Sequence, residues 1–253
     1  MPNRTTPDRD QRHTPPFPTT IPGAVATGSP YFLVVVALFI TSLITANTVA
    51  VKILAFGPWV TDAGLLTFPI AYIVGDVLTE VYGYTAARRV IWLGFLCNAL
   101  AVGVYQLAGV LPAEVTWDGG DAYTRIFAST PRLLLASFCA YLIGEFVNAY
   151  ILARLKVATN GRYLWTRTIS STVVGQGLDT VIFVLIAFGG VMSGGILRDM
   201  IVTGWLLKSA YEILATPLTY FVVNTLKRVE NVDTFDRHTD FNPLPLNRLS
   251  AAD

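Results

Sequence analysis

Six apolar stretches, each long enough to cross a bilayer, decide most of what this chain can fold into. A hydrocarbon core about 30 Å thick takes roughly 20 residues of helix. Windows of that length with few charges run at 31–51, 64–84, 90–111, 133–155, 172–192 and 200–226. Backbone polar groups find no water at that depth, so the spans must be helical. The expected fold is an all-α membrane protein, a bundle of six transmembrane helices in one domain over 31–226. With 53% hydrophobic and only 14% charged residues, the composition lies outside the range of ordinary soluble domains.

The flanks differ in character. Residues 1–30 are rich in Pro, Thr and Arg, a composition that cannot bury a core, and read as a disordered tail. Residues 227–253 form a second polar tail. The first apolar run is too long and starts too late for a secretory signal, and is expected to stay in the mature protein. Lys and Arg set the orientation, because basic loops stay on the cytoplasmic side. Thirteen fall in the two tails and in the second and fourth loops, against four (Lys52, Arg125, Arg132 and Arg198) in the others. Both termini are therefore expected in the cytoplasm, in a multi-pass protein of the cell inner membrane.

Several function classes find no support. There is no phosphate-cradling Gly-rich loop with Lys, no HExxH and no GxSxG, and nothing resembles a nucleic-acid-binding stripe. The two histidines, His13 and His238, lie in the tails, and Cys97 and Cys139 lie inside spans as packing residues. No enzyme activity, metal or cofactor is expected.

What the spans carry instead is charge. An ionisable group at bilayer depth costs a few kcal/mol even by lenient estimates, yet Asp76 and Glu80 sit in the second window, Glu145 in the fourth, Asp179 in the fifth, and Lys208 and Glu212 in the sixth. Asp76, Glu145, Asp179 and Glu212 fall within about 6 Å of their window centres at the helical rise, so they share one depth. Residues three or four apart share a helical face. Asp76 with Glu80, Glu145 with Asn148, Gln176 with Asp179 and Lys208 with Glu212 thus give four helices a polar stripe toward a common interior, with Asn47 as a contribution from the first. Asp76 and Glu80 are expected to face that interior as substrate contact, proton carrier, or partner of Lys208 and of Arg88 and Arg89. Glu80, nearer the cytoplasm, is the better gate residue.

Two further patterns fit a transporter. "AYIVGD" ending at Asp76 echoes "AYLIGE" ending at Glu145, 69 residues on. Repeats with a site at their interface recur among transporters, and Gly75 and Gly144 would admit close approach of another helix. Pro69 and Pro217 fall within spans, where each frees a backbone carbonyl.

The motifs "TFPIAYIVGDVLTEVYG", "ARRV", "ASFCAYLIGEFVNAYIL", "STVVGQGLDTVIFVLIAF" and "LLKSAYEILATPLTY", in that order, resemble those of the queuosine precursor transporter family, six-span proteins of the vitamin-uptake type. The resemblance implies uptake of 7-cyano-7-deazaguanine or its aminomethyl relative for queuosine salvage into tRNA. Such a base is a small purine-like partner whose ring N–H and exocyclic amine suit a carboxylate. The candidate substrate-binding residues are Asn47, Asp76, Glu80, Tyr141, Glu145, Asn148, Gln176, Asp179, Lys208 and Glu212. Phe68, Tyr72, Phe183, Trp205 and Tyr211, with Tyr141, offer faces to a flat ring. The lipid bilayer is the other partner, and homo-oligomerisation is compatible with the pattern. Alternatives are a substrate-binding subunit of an ATPase-driven vitamin importer, docking through the small residues Ala46 and Ala50; an intramembrane aspartyl protease using Asp76 and Asp179; and a purely structural bundle.

Overall fold

A computed structural model of the chain describes residues 29–49, 52–56, 59–127, 131–237 and 239–243. Among the described residues the regular structure is helical except for one short hairpin. Helix α1 (Pro30–Val49) leads into antiparallel strands β1 (Ile53–Phe56) and β2 (Trp59–Asp62), in which Ile53 pairs with Asp62 and Phe56 with Trp59. There follow a 3₁₀ turn (Ala63–Leu66), α2 (Phe68–Val77), a π turn (Leu78–Tyr82), α3 (Tyr84–Val110), a short α4 (Gly120–Phe127), α5 (Pro131–Ala158), α6 (Leu164–Phe188) and α7 (Gly194–Glu230). Neither the hairpin nor α4 is expected from hydropathy.

Among the described residues, four helices are long and apolar enough to cross a membrane: Pro30–Val49, Tyr84–Val110, Leu135–Ala158 and Leu164–Phe188. The other two expected spans depart for identifiable reasons. The window at 64–84 is not one helix but a 3₁₀ turn, ten residues of α-helix and a π turn. Pro69 does not break it from within. It sits in the first turn of α2, where a missing N–H costs nothing, so it starts that helix. The window at 200–226 lies inside a 37-residue α7 whose middle carries Lys208 and Glu212. Pro217 lies inside α7, and the helix continues past it.

Packing is polar inside and apolar outside. Leu96, Leu100 and Val110 of α3 and Leu214, Leu218 and Phe221 of α7 are exposed, whereas Asp76, Glu80, Glu145, Asn148, Arg167, Gln176, Asp179 and Glu212 are buried. That arrangement suits a lipid surround, where apolar side chains lose nothing by facing out and polar ones must pair within. An apolar layer of Val35, Phe39, Leu43, Val74, Val77 and Ile91 joins α1, α2 and α3. Ala46 of α1 is wholly buried in the bundle and offers no docking face, and Ala50 lies outside the described residues.

Helices α5 and α6 cross at glycines. A Cβ on Gly144 would stand 2.9 Å from Asp179 Cβ and 3.0 Å from the Gly175 carbonyl, and one on Gly175 would stand 2.9 Å from Asn148 Cβ. The missing side chains let the two backbones approach and bring Asp179 and Asn148 to the same contact.

One end of the bundle gathers the starts of α1, α3 and α6 and the ends of the π turn, α5 and α7. The segment after α7, expected as a polar tail, packs across this end over 231–237 and 239–243, and its remainder from 244 lies outside the described residues. Thr234 N–H donates to the Val81 carbonyl (3.2 Å), and the Asp236 carboxylate accepts from Tyr84 N–H (2.9 Å) at the first residue of α3. Trp92 Nε1 donates to the Pro243 carbonyl (2.8 Å), and the Phe241 ring lies 5.0 Å from Tyr84 and 5.1 Å from Tyr150. Composition alone misses this, because a few well-placed aromatics and carboxylates do the docking while the segment average stays polar.

Candidate functional site

Two buried polar clusters occupy different levels of the bundle. The deeper one is built by α2, α5, α6 and α7. From α2 come Tyr72 and Asp76, from α5 Tyr141, Glu145 and Asn148, from α6 Gln176 and Asp179, and from α7 Lys208 and Glu212. Asn148 Nδ2 donates to Asp76 Oδ1 at 2.8 Å, and Lys208 Nζ donates to Asp179 Oδ2 at 2.6 Å. Glu145 lies within electrostatic reach of Asp179 and Glu212, and Asp76 within reach of Glu145 and Glu212. The same-helix pairs expected from spacing are thus replaced by pairs between helices.

Gly75 explains how Glu145 fits. An ideal Cβ there would lie 2.1 Å from Glu145 Oε1, so the carboxylate rests on the bare backbone of α2 one residue before Asp76. The acids are shut away, none of Asp76, Glu145, Asp179 and Glu212 exposing more than 4% of its surface, while the Lys208 side chain is 26% exposed. Many of its polar atoms have no hydrogen-bond partner among the described residues: Tyr72 Oη, Asp76 Oδ2, Tyr141 Oη, Glu145 Oε1, Asn148 Oδ1, Gln176 Oε1 and Glu212 Oε1. A buried polar atom left without a partner costs about 1–3 kcal/mol. This concentration of unpartnered polar atoms makes the cluster the candidate site.

Eight of the ten expected residues meet here: Asp76, Tyr141, Glu145, Asn148, Gln176, Asp179, Lys208 and Glu212. Asn47 does not. Its Nδ2 donates to the Leu43 carbonyl (3.1 Å) and its Oδ1 accepts from Ser137 Oγ (2.8 Å), tying α1 to α5. Of the aromatic candidates, Tyr72 and Tyr141 are buried with unpartnered hydroxyls, that of Tyr141 standing against Gly94 of α3 near Phe39 and Leu43, and Phe68 lies 5.6 Å beneath the Lys208 ammonium. Trp205 donates to the Val173 carbonyl, Phe183 packs on Phe188, and Tyr211 is exposed.

Glu80 belongs to the second cluster, at the end where the 231–243 segment docks. Its expected partners Lys208, Arg88 and Arg89 are replaced by three others. Arg167 holds it in a fork, Nε to Oε2 at 2.8 Å and Nη2 to Oε1 at 2.6 Å, and Lys227 Nζ reaches Oε1 at 2.6 Å. Lys156 Nζ stands 3.6 Å from Oε1 and donates to the Glu80 carbonyl, to Asp233 Oδ1 (2.6 Å) and to the Thr234 carbonyl (2.7 Å). All three of its N–H groups are used. Arg88 donates instead to the carbonyls of Asp240 and Asn242. Burial pushes the Asp233 carboxyl up, but the ammonium groups of Lys156 and Lys227 outweigh it and hold the group below its usual value.

Sequence reasoning missed Lys156, Arg167, Lys227 and Asp233 as a set. They read as loop and tail charges, because the window for the fifth span opens eight residues after α6 begins. A buried acid at a span end next to a dense run of Lys and Arg was the available signal. Asp76 and Asp179, the pair a membrane aspartyl protease would need, are held by different partners, Asn148 and Lys208.

Residues 62–222 match the model of the family described as "Putative vitamin uptake transporter". The chain is 28% identical over 180 residues to the "Probable queuosine precursor transporter" of Bacillus subtilis (strain 168), covering 70% of this chain and 78% of that protein. It is 29% identical over 151 residues to the "Queuosine precursor transporter" of Escherichia coli (strain K12), covering 60% of this chain and 64% of the relative. A "Probable queuosine precursor transporter" of Haemophilus influenzae is 30% identical over 125 residues, 49% of this chain and 51% of that one. No solved structure matches the chain.

Proposed function

We propose, since this chain belongs to the putative vitamin uptake transporter family, that it imports a queuosine precursor, 7-cyano-7-deazaguanine or its aminomethyl relative, through the cluster around Asp76 and Glu145. It is a multi-pass membrane transporter. In this reading it crosses the inner membrane six times, the broken second segment and α7 included, with both termini in the cytoplasm and the Glu80 cluster at the cytoplasmic end. The alternating directions of the helices at that end, and the basic residues gathered there, support the orientation.

The observation that carries the substrate reading is the set of buried acceptor oxygens without partners: Asp76 Oδ2, Glu145 Oε1 and Glu212 Oε1. A 7-deazaguanine presents a ring N–H and an exocyclic amine on one edge, which a carboxylate accepts as a pair, and a carbonyl to which Lys208 or an amide can donate. Tyr72 and Tyr141 give the flat ring apolar faces. Because the acids of the cluster are buried, substrate reaches them by rearrangement of the helices around the site, an alternating-access scheme.

Cells unable to make 7-cyano-7-deazaguanine test the reading directly. Supplied with either precursor at nanomolar levels, they should form queuosine in tRNA, read as boronate-gel retardation, only when this chain is expressed. No rescue by either precursor, with the protein present in the membrane, would remove the substrate assignment.

A further inference from the structure

The deep cluster is out of electrical balance. Four carboxylates converge from four helices: Asp76, Glu145, Asp179 and Glu212, with Glu80 acting on Asp76 from the π turn below. Among the described residues the cation that reaches them is Lys208, and it is committed to Asp179 at 2.6 Å. Tyr72 and Tyr141 lie near the acids from α2 and α5, the neutral amide of Asn148 binds Asp76 from α5, and Gln176 is buried one turn before Asp179 on α6. Asp76, Glu145 and Glu212 thus face one another, further acids and neutral groups, with no cation of their own among the described residues.

Three uncompensated negative charges in one buried, lipid-surrounded cluster would repel each other and forgo hydration. Positive charge must therefore bind with them. A metal ion fits poorly, since no group of three or more acidic, His or Cys side chains among the described residues is placed to hold one. A proton fits well, because a carboxylic acid needs only one acceptor for its O–H. The bare Oδ1 of Asn148 and Oε1 of Gln176, both at least nine-tenths buried, are of that type.

We propose that the Asp76–Glu145–Glu212 group is a proton-binding site, and that the chain carries a proton inward with each substrate molecule. The proton is taken from the outer aqueous phase by a carboxylate oxygen and released to the cytoplasm when the site opens inward. 7-Cyano-7-deazaguanine, which is neutral, thereby moves with one positive charge. The coupling rests on the transport reading above, and the proton site does not.

Two measurements on the purified full-length chain separate them. Infrared spectra of the folded protein near neutral pH should contain the C=O stretch of a protonated carboxyl. The band should weaken in Asp76→Asn, Glu145→Gln or Glu212→Gln. A wild-type spectrum without that band overturns the proton site. In proteoliposomes, counterflow of labelled 7-cyano-7-deazaguanine reports transport without any gradient. With the potential clamped and the interior about one pH unit more alkaline, one proton per base should concentrate it about tenfold inside, and a protonophore should abolish this. Counterflow without accumulation overturns the coupling and leaves the transport reading intact. Absent counterflow removes the substrate reading and the coupling with it, and the infrared band then decides the proton site alone.

Discussion

Arg167 closes a two-pronged grip on Glu80, Nε to Oε2 at 2.8 Å and Nη2 to Oε1 at 2.6 Å, with neither side chain more than 1% exposed. The pair joins the π turn to the first turn of α6. Breaking a buried pair by removing one partner leaves the other charge stranded and costs about 3–5 kcal/mol. Glu80→Gln should therefore lower the melting temperature in detergent sharply, since it leaves Arg167, Lys156 and Lys227 facing an amide. Arg167→Lys, which keeps the charge but not the fork, should lose less. A Glu80→Gln protein that melts like wild type would mean that the cluster contributes nothing to holding this end together.

Asp233 is the clasp between that cluster and the 231–243 segment, bridging Lys156 at 2.6 Å and Lys227 at 2.9 Å. Its carboxyl sits below its usual value. The stabilisation is thus fully present above the unfolded carboxyl's range and is lost only as pH falls through the lowered folded value. Limited proteolysis after α7 should proceed equally slowly at pH 7 and pH 5, and Asp233→Asn should speed it at both. Faster cleavage at pH 5 in the wild type would contradict the clasp.

The topology expected from basic residues gives an independent check. Reporter fusions at Met1, Arg162 and Asp253 should read cytoplasmic, and one at Asp118 external. An external C-terminus would mean that the broken second segment or α7 does not cross.

The deep acids were legible in the sequence because burial of a charge in a lipid-soluble stretch has few explanations, and Asp76, Glu145, Asp179 and Glu212 do converge. Their partners were not legible. Spacing assigns residues to a face of their own helix but says nothing about which helix lies opposite, so Asn148 pairs with Asp76 rather than Glu145, and Lys208 with Asp179 rather than Glu212. Hydropathy also discards helical turns that are polar. The first turns of α6 hold Thr166, Arg167, Thr168, Ser170 and Ser171, and their exclusion hid the partner of Glu80. The interruption of the second segment was equally hidden, since a π turn has no hydropathy signature.

Gly75 and Gly144 differ in what a methyl group would strike. At Gly75 it would meet the end of a flexible side chain, Glu145 Oε1 at 2.1 Å. At Gly144 it would meet Asp179 Cβ at 2.9 Å and the Gly175 carbonyl at 3.0 Å. Gly75→Ala should fold with a modest loss of melting temperature while displacing Glu145 and cutting uptake about tenfold or more, as expected for a misplaced contact. Gly144→Ala should destabilise the α5–α6 crossing itself, by about 1–3 kcal/mol for overpacking. Equal effects of the two on uptake per folded molecule would argue against a substrate role for Glu145.

Glu145 and Asp179 look equivalent in the sequence, and the structure separates them. Among the described residues Glu145 has no cationic partner and an unpartnered Oε1, whereas Asp179 holds Lys208 in an ion pair. An amide in place of either keeps the volume but turns one acceptor oxygen into a donor. For Glu145→Gln no charge partner is stranded, so the protein should melt at or slightly above the wild-type temperature. Uptake at low substrate should still fall about ten- to a hundredfold, the loss expected for a charge-assisted contact worth about 1.5–3 kcal/mol. Asp179→Asn strands the Lys208 ammonium and should lose both stability and uptake. Neutralising its partner as well, in the Asp179→Asn, Lys208→Met protein, should recover much of the stability without restoring uptake. If Glu145→Gln instead melts well below wild type while uptake per folded molecule is unchanged, Glu145 is a structural residue and the binding site lies elsewhere.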